Sequence, residues 1–302
     1  MGQRLIGVDV GGTKVSVAVL EDGRLSDPQI TPTDLSSSDA LVEQLIEVIG
    51  AAGPATAVGI GVPSVVDFAT GTARSSVNIP LQGVPLRHAL TERLGIPTFV
   101  DNDATVAALA EAHDDDMRPL ADIVVMFTIG TGVGGGIVIG GRTFRGSTGA
   151  APEIGHTIIA AALGHGAPPA SHFPHAASLE HHAAGRALDR LGLERGIGDG
   201  YAVVAAARTG DRDALDAMRI LGEALGVGIA NAINTFDPDL VIVGGGVSNA
   251  GDLLLDPARE SAARFVVPGV GTRTQIRLAR YGPQAGVRGA TLLAGQELEL
   301  GR

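Results

Sequence analysis

Apolar residues in this chain fall in short runs punctuated by glycine. Leu5 to Val8 and Val15 to Leu20 each have strand length, and Asp9-Val10-Gly11-Gly12-Thr13-Lys14 lies between them. The pattern predicts strand, glycine turn, strand. From Ser36 to Ile49 the spacing becomes helical, with Leu41, Leu45, Val48 and Ile49 on one face behind a Ser/Asp start. Ala57 to Val62 reads as a buried strand, and a helix follows from about Pro85 to Leu94, closed by Gly95. Thr98 to Val100 is a short strand leading into a helix from Ala104 to Ala112. Further on, a helix opens at Leu179 and continues through Leu191, and a long one spans Asp211 to Phe236, where Gly222, Gly226 and Gly228 would admit a close neighbour. Leu240 to Val243 is a strand, and Gly286 to Leu298 is a last helix. Strands alternating with helices predict an α/β fold.

The first strand-turn-strand device recurs. Val124 to Ile129 is an apolar strand running into Gly130-Thr131-Gly132-Val133-Gly134-Gly135-Gly136, and Ile137 to Ile139 is a second strand reaching a Gly140-Gly141 turn. Such a repeat predicts two related lobes, each offering a glycine turn to one ligand. Gly130-x-Gly132-x-x-Gly135 fits the dinucleotide pattern, but that pattern needs a helix after it and a strand follows here, so a Rossmann site is excluded. No G-x-x-x-x-G-K-[ST] phosphate loop occurs, because Lys14 follows Thr13 and leads into a strand.

Composition narrows the picture. With 302 residues, 45% hydrophobic and 18% charged, the chain can bury two substantial cores. A net charge of −11 opposes binding to a polyanion, so no nucleic-acid partner is expected. The absence of cysteine excludes disulfides and thiolate catalysis. Asp9 interrupts the N-terminal apolar stretch, no signal peptide is read there, and no segment approaches the roughly 20 apolar residues of a membrane span. The cytoplasm is the expected location, with no membrane partner.

Several polar residues are candidates for chemistry, each with a plainer alternative. Asp9 to Lys14 is either an ordinary Gly-Gly hairpin or a turn whose N–H groups, with Thr13 and Lys14, hold a phosphate. Asp101-Asn102-Asp103 either caps the following helix or presents a general base with an amide beside it. Asn78 is a turn former or a sugar ligand. Asp114-Asp115-Asp116 reads as a solvated loop, because adjacent side chains diverge. Gly244-Gly245-Gly246 after a strand suits the base and ribose end of a nucleotide.

These stretches, in this order, resemble the ROK family (repressor, open reading frame, kinase), most closely its bacterial glucokinase branch, over nearly the whole chain. Asp9 to Lys14 looks like the family's first phosphate motif, Ile129 to Gly136 like the second, and Asp237 to Val247 like its adenosine motif. Asn102-Asp103, Glu153-x-x-His156 and Glu180 are similar to its catalytic and sugar-binding signatures. The resemblance implies an actin-like ATPase (ribonuclease H-like) duplicated two-lobe fold, with a small α/β lobe over residues 1–108 and a large one over 109–302. The C-terminal helix is expected to cross back to the first lobe, the two lobes to close on ATP and a hexose, and the protein to form a homodimer.

Carried over by resemblance, Asp103 is the base that takes the proton of the sugar 6-hydroxyl, and Asn78, Asn102, Glu153, His156 and Glu180 grip the other hydroxyls. Gly11, Gly12, Thr13, Lys14, Thr131 and Gly132 hold phosphates, Gly244 to Gly246 the nucleoside, and Asp9 helps to place Mg²⁺. The family's C-x-C-G-x-x-G-C zinc motif is missing: Ser171, Phe173 and Ser178 stand at the cysteine positions. A replacement built from His156, His165, His172 or His175 has irregular spacing, so no zinc is expected, and packing around Phe173 would hold the loop. The expected activity is therefore an ATP-dependent hexose 6-kinase acting on glucose or an aminohexose such as kanosamine, glucosamine or an N-acetylhexosamine. The alternative is a non-catalytic, sugar-binding regulator; repressors of the family carry a DNA-binding domain before the first phosphate motif, whereas this chain reaches Asp9 almost at once.

Overall fold

The computed structural model describes residues 3–76, 78–164, 166–167 and 172–301. In chain order the elements are β1 (Leu5–Val10), β2 (Lys14–Glu21), β3 (Arg24–Leu25), β4 (Gln29–Pro32), α1 (Ser38–Ala51), β5 (Ala57–Val62), β6 (Ser64–Asp67), β7 (Thr72–Ser76), α2 (Leu86–Leu94), β8 (Thr98–Asn102) and α3 (Asp103–Glu111). There follow β9 (Ile123–Ile129), β10 (Val133–Ile139), β11 (Arg142–Thr143), α4 (Leu179–Ala183), α5 (Gly185–Glu194), α6 (Gly200–Arg208), α7 (Arg212–Phe236), β12 (Leu240–Gly244), α8 (Asp252–Phe265), β13 (Gln275–Leu278) and α9 (Ala285–Glu299).

Contacts divide the chain into two compact units. Unit 1 holds the chain up to Leu120, then Gly136–Pro152, then the chain from Tyr281 onward; unit 2 holds Ala121–Gly135 and Glu153–Arg280. The sequence-based boundary at residue 108 differs from this division. The 136–152 segment stays with unit 1 because Gly136 lies against Ala108 of α3, Arg145 is bonded to Asp101, and Gln296 of α9 donates to the Gly141 carbonyl.

In unit 1 the sheet order is β3-β2-β1-β5-β8, with β4 also on β2. β1 and β2 are antiparallel, whereas β1, β5 and β8 run parallel. The apolar positions read from the pattern form its core: Ile6, Val8, Leu41, Leu45, Ile49 and Ile60 are all buried. α9 lies on this sheet over two neighbouring glycines, Gly7 of β1 and Gly59 of β5, which are paired in register. A Cβ at Gly59 would run into the backbone of Ala290, and one at Gly7 into the Val287 carbonyl, so the helix can rest there only because both side chains are absent.

The second sheet has order β11-β10-β9-β12-β13, with β12 parallel to β9 and to β13. Both sheets thus follow one plan, in which a hairpin and its short edge strand are followed by two more strands added on the other side of the first. In unit 2, α7 and α8 pack through small residues: Gly222 faces Leu254 and Pro257, and Gly226 faces Ala258 and Ser261. Gly228 meets Leu179 of α4.

The structure departs from the pattern at two places. The glycine run after β9 is shorter as a turn than it looked, because β10 already begins at Val133 and takes in Gly134 to Gly136. The helix read from Leu179 through Leu191 is broken at Ala184, whose extended backbone ends α4, while the Gly185 N–H donates to the Gly130 carbonyl at 2.7 Å.

Candidate active site

The parallel register of unit 1 aligns the C-terminal ends of three strands: Asp9 of β1 pairs with Gly61 of β5, and Gly61 with Asp101 of β8. Open α/β sheets present ligands at such ends. After Asp9 the chain turns back with the Gly11 N–H donating to the Lys14 carbonyl at 2.8 Å, and Thr33 Oγ1 donates to the Gly11 carbonyl at 2.7 Å. Thr13 and Lys14 are exposed at the tip, and Asn78 lies against Gly12. Burial raises the Asp9 carboxyl to about 6; Asp103 pushes in the same direction and Lys14 opposes it. Gly61 faces both acids, a Cβ there lying 3.7 Å from Asp9 Oδ1 and 3.4 Å from Asp103 Cα.

At Asn102-Asp103 the two side chains are placed differently. Asn102 is the N-cap of α3: its Oδ1 accepts from the Thr105 N–H at 3.1 Å and its Nδ2 donates to the Ser64 carbonyl at 3.3 Å. Asp103 is the first residue inside the helix, with Oδ1 accepting from the Ala104 N–H at 2.8 Å, and burial raises its carboxyl above the usual range. A carboxylate relieved of capping and raised in basicity is suited to taking a proton.

Asp9 accepts no hydrogen bond among the described residues, and a Cβ on Gly286 would fill the space beside its carboxylate. A lone, unpaired carboxylate next to a phosphate-type turn fits the way Mg²⁺ is commonly held, through one or two carboxylates plus substrate phosphates.

Unit 2 gathers the other candidates. Between β9 and β10 the Gly130 N–H donates to the Gly132 carbonyl at 2.9 Å, leaving Thr131 exposed at the tip. Val133, just after it, is a joint: its N–H donates to Glu180 Oε2 at 2.8 Å, and its carbonyl backs Gly155. This brings Glu180 on α4 and the 3₁₀ turn Ile154–His156 to the same glycine turn. Glu153 Oε2 lies 3.9 Å from His156 Nε2, while His156 Nδ1 is buried without a hydrogen-bond partner. Desolvation raises the Glu153 carboxyl, with His156 opposing and Glu180 reinforcing. Gly244 of β12 pairs with Thr128 of β9, and Gly245, at φ 85°, runs against the Ile129 backbone, so the third glycine loop sits beside the second.

His165 and Ser171 lie outside the described residues. Among the described residues no cluster of three His, Asp or Glu side chains could hold a metal ion. Phe173 does not pack the loop closed: it is 75% exposed, and its ring stands T-shaped to that of His156 with centroids 5.7 Å apart. Backbone hydrogen bonds tie the loop ends instead, from Ile159 N–H to the Ala177 carbonyl and from Leu179 N–H to the Thr157 carbonyl, each 2.8 Å.

Sequence reading missed Arg145. Its Nε donates to Asp101 Oδ2 at 2.7 Å across 44 positions of chain, a pairing that no local spacing signals.

Residues 5–297 match the ROK family. A glucokinase of Streptomyces coelicolor is 34% identical over 96% of each chain, and an N-acetyl-D-glucosamine kinase of Escherichia coli O6:H1 is 32% identical over 95% of this chain and 98% of that one. A solved ROK-family glucokinase from Streptomyces griseus, in complex with glucose and AMPPNP, superposes with a TM-score of 0.78 at 33% identity, over 97% of this chain and 99% of that one. The two sheets of one plan, each with its glycine turn, are the actin-like ATPase fold, and the chain belongs to the ROK family.

Proposed function

We propose that this protein is an ATP-dependent hexose 6-kinase acting on glucose or an aminohexose. The observation that carries the reading is the pair Asp9, near the end of β1, and Asp103, just after β8, both faced by Gly61, with Asn102 taking the cap so that Asp103 is left for chemistry. The similarity to both a glucokinase and an N-acetyl-D-glucosamine kinase supports a hexose or hexosamine acceptor.

In this reading Asp103 accepts the proton of the sugar 6-hydroxyl as its oxygen attacks the γ-phosphorus; the bond from that phosphorus to the β–γ bridging oxygen breaks, and ADP leaves with the electron pair. Gly12, Thr13, Lys14, Thr131 and Gly132 offer donors to phosphate oxygens, and Gly244 to Gly246 take the nucleoside. Asn78, Asn102, Glu153, His156 and Glu180 hold sugar hydroxyls. Asp9 would hold Mg²⁺, which when bound neutralises charge on the phosphates. Positioning and charge neutralisation are most of what phosphoryl transfer requires of a protein.

The test is ADP release with Mg²⁺ across glucose, glucosamine, kanosamine and N-acetylated hexosamines. Turnover well above the sugar-free rate is expected with at least one, and a 6-deoxy analogue of the best substrate should bind without transfer. Sugar binding with no sugar-dependent ADP release would instead make the protein a sugar-binding regulator.

A further inference from the structure

Unit 1 buries more charge near Asp103 than the reaction uses. Asp101 and Glu297 are 1% and 3% exposed, and the Arg145 side chain joins them, with Nε 2.7 Å from Asp101 Oδ2 and Nη2 3.5 Å from Glu297 Oε1. The guanidinium also lies over the Phe68 ring, 3.6 Å from its centroid. Buried ion pairs are seldom kept for stability, since apolar groups of similar volume often serve as well or better. What such a pair does provide is fixed geometry.

The geometry here leads to the base. Asp101 spends one oxygen on Arg145 and the other, Oδ1, on the Asn102 N–H at 2.9 Å. Asn102 is thereby held at its backbone by Asp101 and at its side chain by Ser64 and Thr105, and Asp103 is the next residue. Arg145 also reaches the other way along the chain: its carbonyl accepts from the Ala151 N–H at 3.1 Å, two positions before Glu153. With its side chain only 16% exposed, the arginine acts as a strut between the turn that carries the base and the segment that leads into Glu153.

We propose that Arg145 is a positioning residue for phosphoryl transfer, acting through Asp101 to fix the Asn102-Asp103 turn. The proposal rests on the reading of Asp103 as the base. Without Arg145, the Asp101 carboxylate loses its hydrogen-bonded cation and must turn or take up a proton. Either change alters its grip on the Asn102 N–H. The side-chain partners of the arginine, Asp101, Glu297 and Phe68, are not among the residues read as holding sugar or nucleotide, so its loss should lower kcat and spare ground-state binding.

The experiment uses the full chain with Arg145→Lys, which keeps the charge, and Asp101→Asn, which keeps the size, each alone and combined with Asp103→Ala. Both single variants are expected to lower kcat about tenfold or more, a loss consistent with slight misplacement of a base, while sugar KM and the Kd for ADP stay within about twofold. In the Asp103→Ala background the same substitutions should leave the residual rate unchanged, because their effect passes through Asp103. A fall in melting temperature with unchanged kcat in the folded protein, or losses that simply multiply with that of Asp103→Ala, would make Arg145 structural only and overturn the proposal. Wild-type kcat in Asp103→Ala itself would overturn the reading of the base and the proposal together. An inactive Asp103→Ala beside fully active Arg145→Lys and Asp101→Asn would overturn the proposal alone.

Discussion

Asp103 is held inside the first turn of α3 with its carboxyl raised by burial, and the sign of the consequence is definite. The protonated form cannot accept the 6-hydroxyl proton, so kcat should fall on the acid side at a pH above that of a free carboxylate. Asp103→Asn is expected to lower kcat by about 10²- to 10⁴-fold with a smaller change in sugar KM. The folded state also holds this proton more tightly than the unfolded chain does. Ionisation therefore costs stability as the pH rises from the unfolded value through the raised folded one, and Asp103→Asn should raise Tm at neutral pH even as it lowers kcat. An acid limb at the ordinary carboxylate position would assign it to another group. Gly132 offers a second case. A Cβ there would run into the Glu180 carboxylate, so Gly132→Ala must displace Glu180, proposed to hold sugar, as well as crowd the turn proposed to hold phosphate. Sugar KM and ATP KM are both expected to rise; a change confined to ATP KM would mean that Glu180 does not hold sugar.

At the scale of elements, α9 is the member with least tolerance. Its backbone rests on Gly7 and Gly59, and overpacking at such a contact costs about 1–3 kcal/mol or more. Gly59→Ala should lower Tm markedly, while Gly23→Ala, at an open turn with nothing within 4 Å, should cost only its strained φ of +75°. Thermal unfolding of the two variants side by side tests this, and equal small shifts would refute it. The long apolar runs and helical faces, β1, β2, β5, β9, α1, α7 and α9, were legible from periodicity because each buries a continuous face. β3, β4, β6, β7 and β13 were not: they are short, with exposed or half-buried positions at many sites, and they form by pairing with a neighbour. α8 was hidden by Pro257, which interrupts its pattern yet packs against Gly222. The break at Ala184 depends on a hydrogen bond from Gly185 to Gly130, 55 residues away in sequence (185 − 130), and no local signal carries it. Likewise the glycine turns and Asn102-Asp103 announced themselves as motifs, whereas the Arg145–Asp101 pair and the Val133–Glu180 bond exist only once distant strands are in register.

For the molecule as a whole, the interleaved composition of unit 1 sets an order of events during synthesis. β1 and β5 leave a ribosome before any element of unit 2, yet the helix that covers their glycine floor, α9, follows every element of unit 2. Until then that floor is bare apolar strand, open to wrong partners, and unit 1 has no means of completing its core however long translation lasts. Unit 2 is under no such constraint: its segments, from Ala121 to Arg280, are all in hand before α9 appears. The nascent chain thus finishes its second body before its first, and it is the earlier-made half that a cell's chaperones would have to shelter.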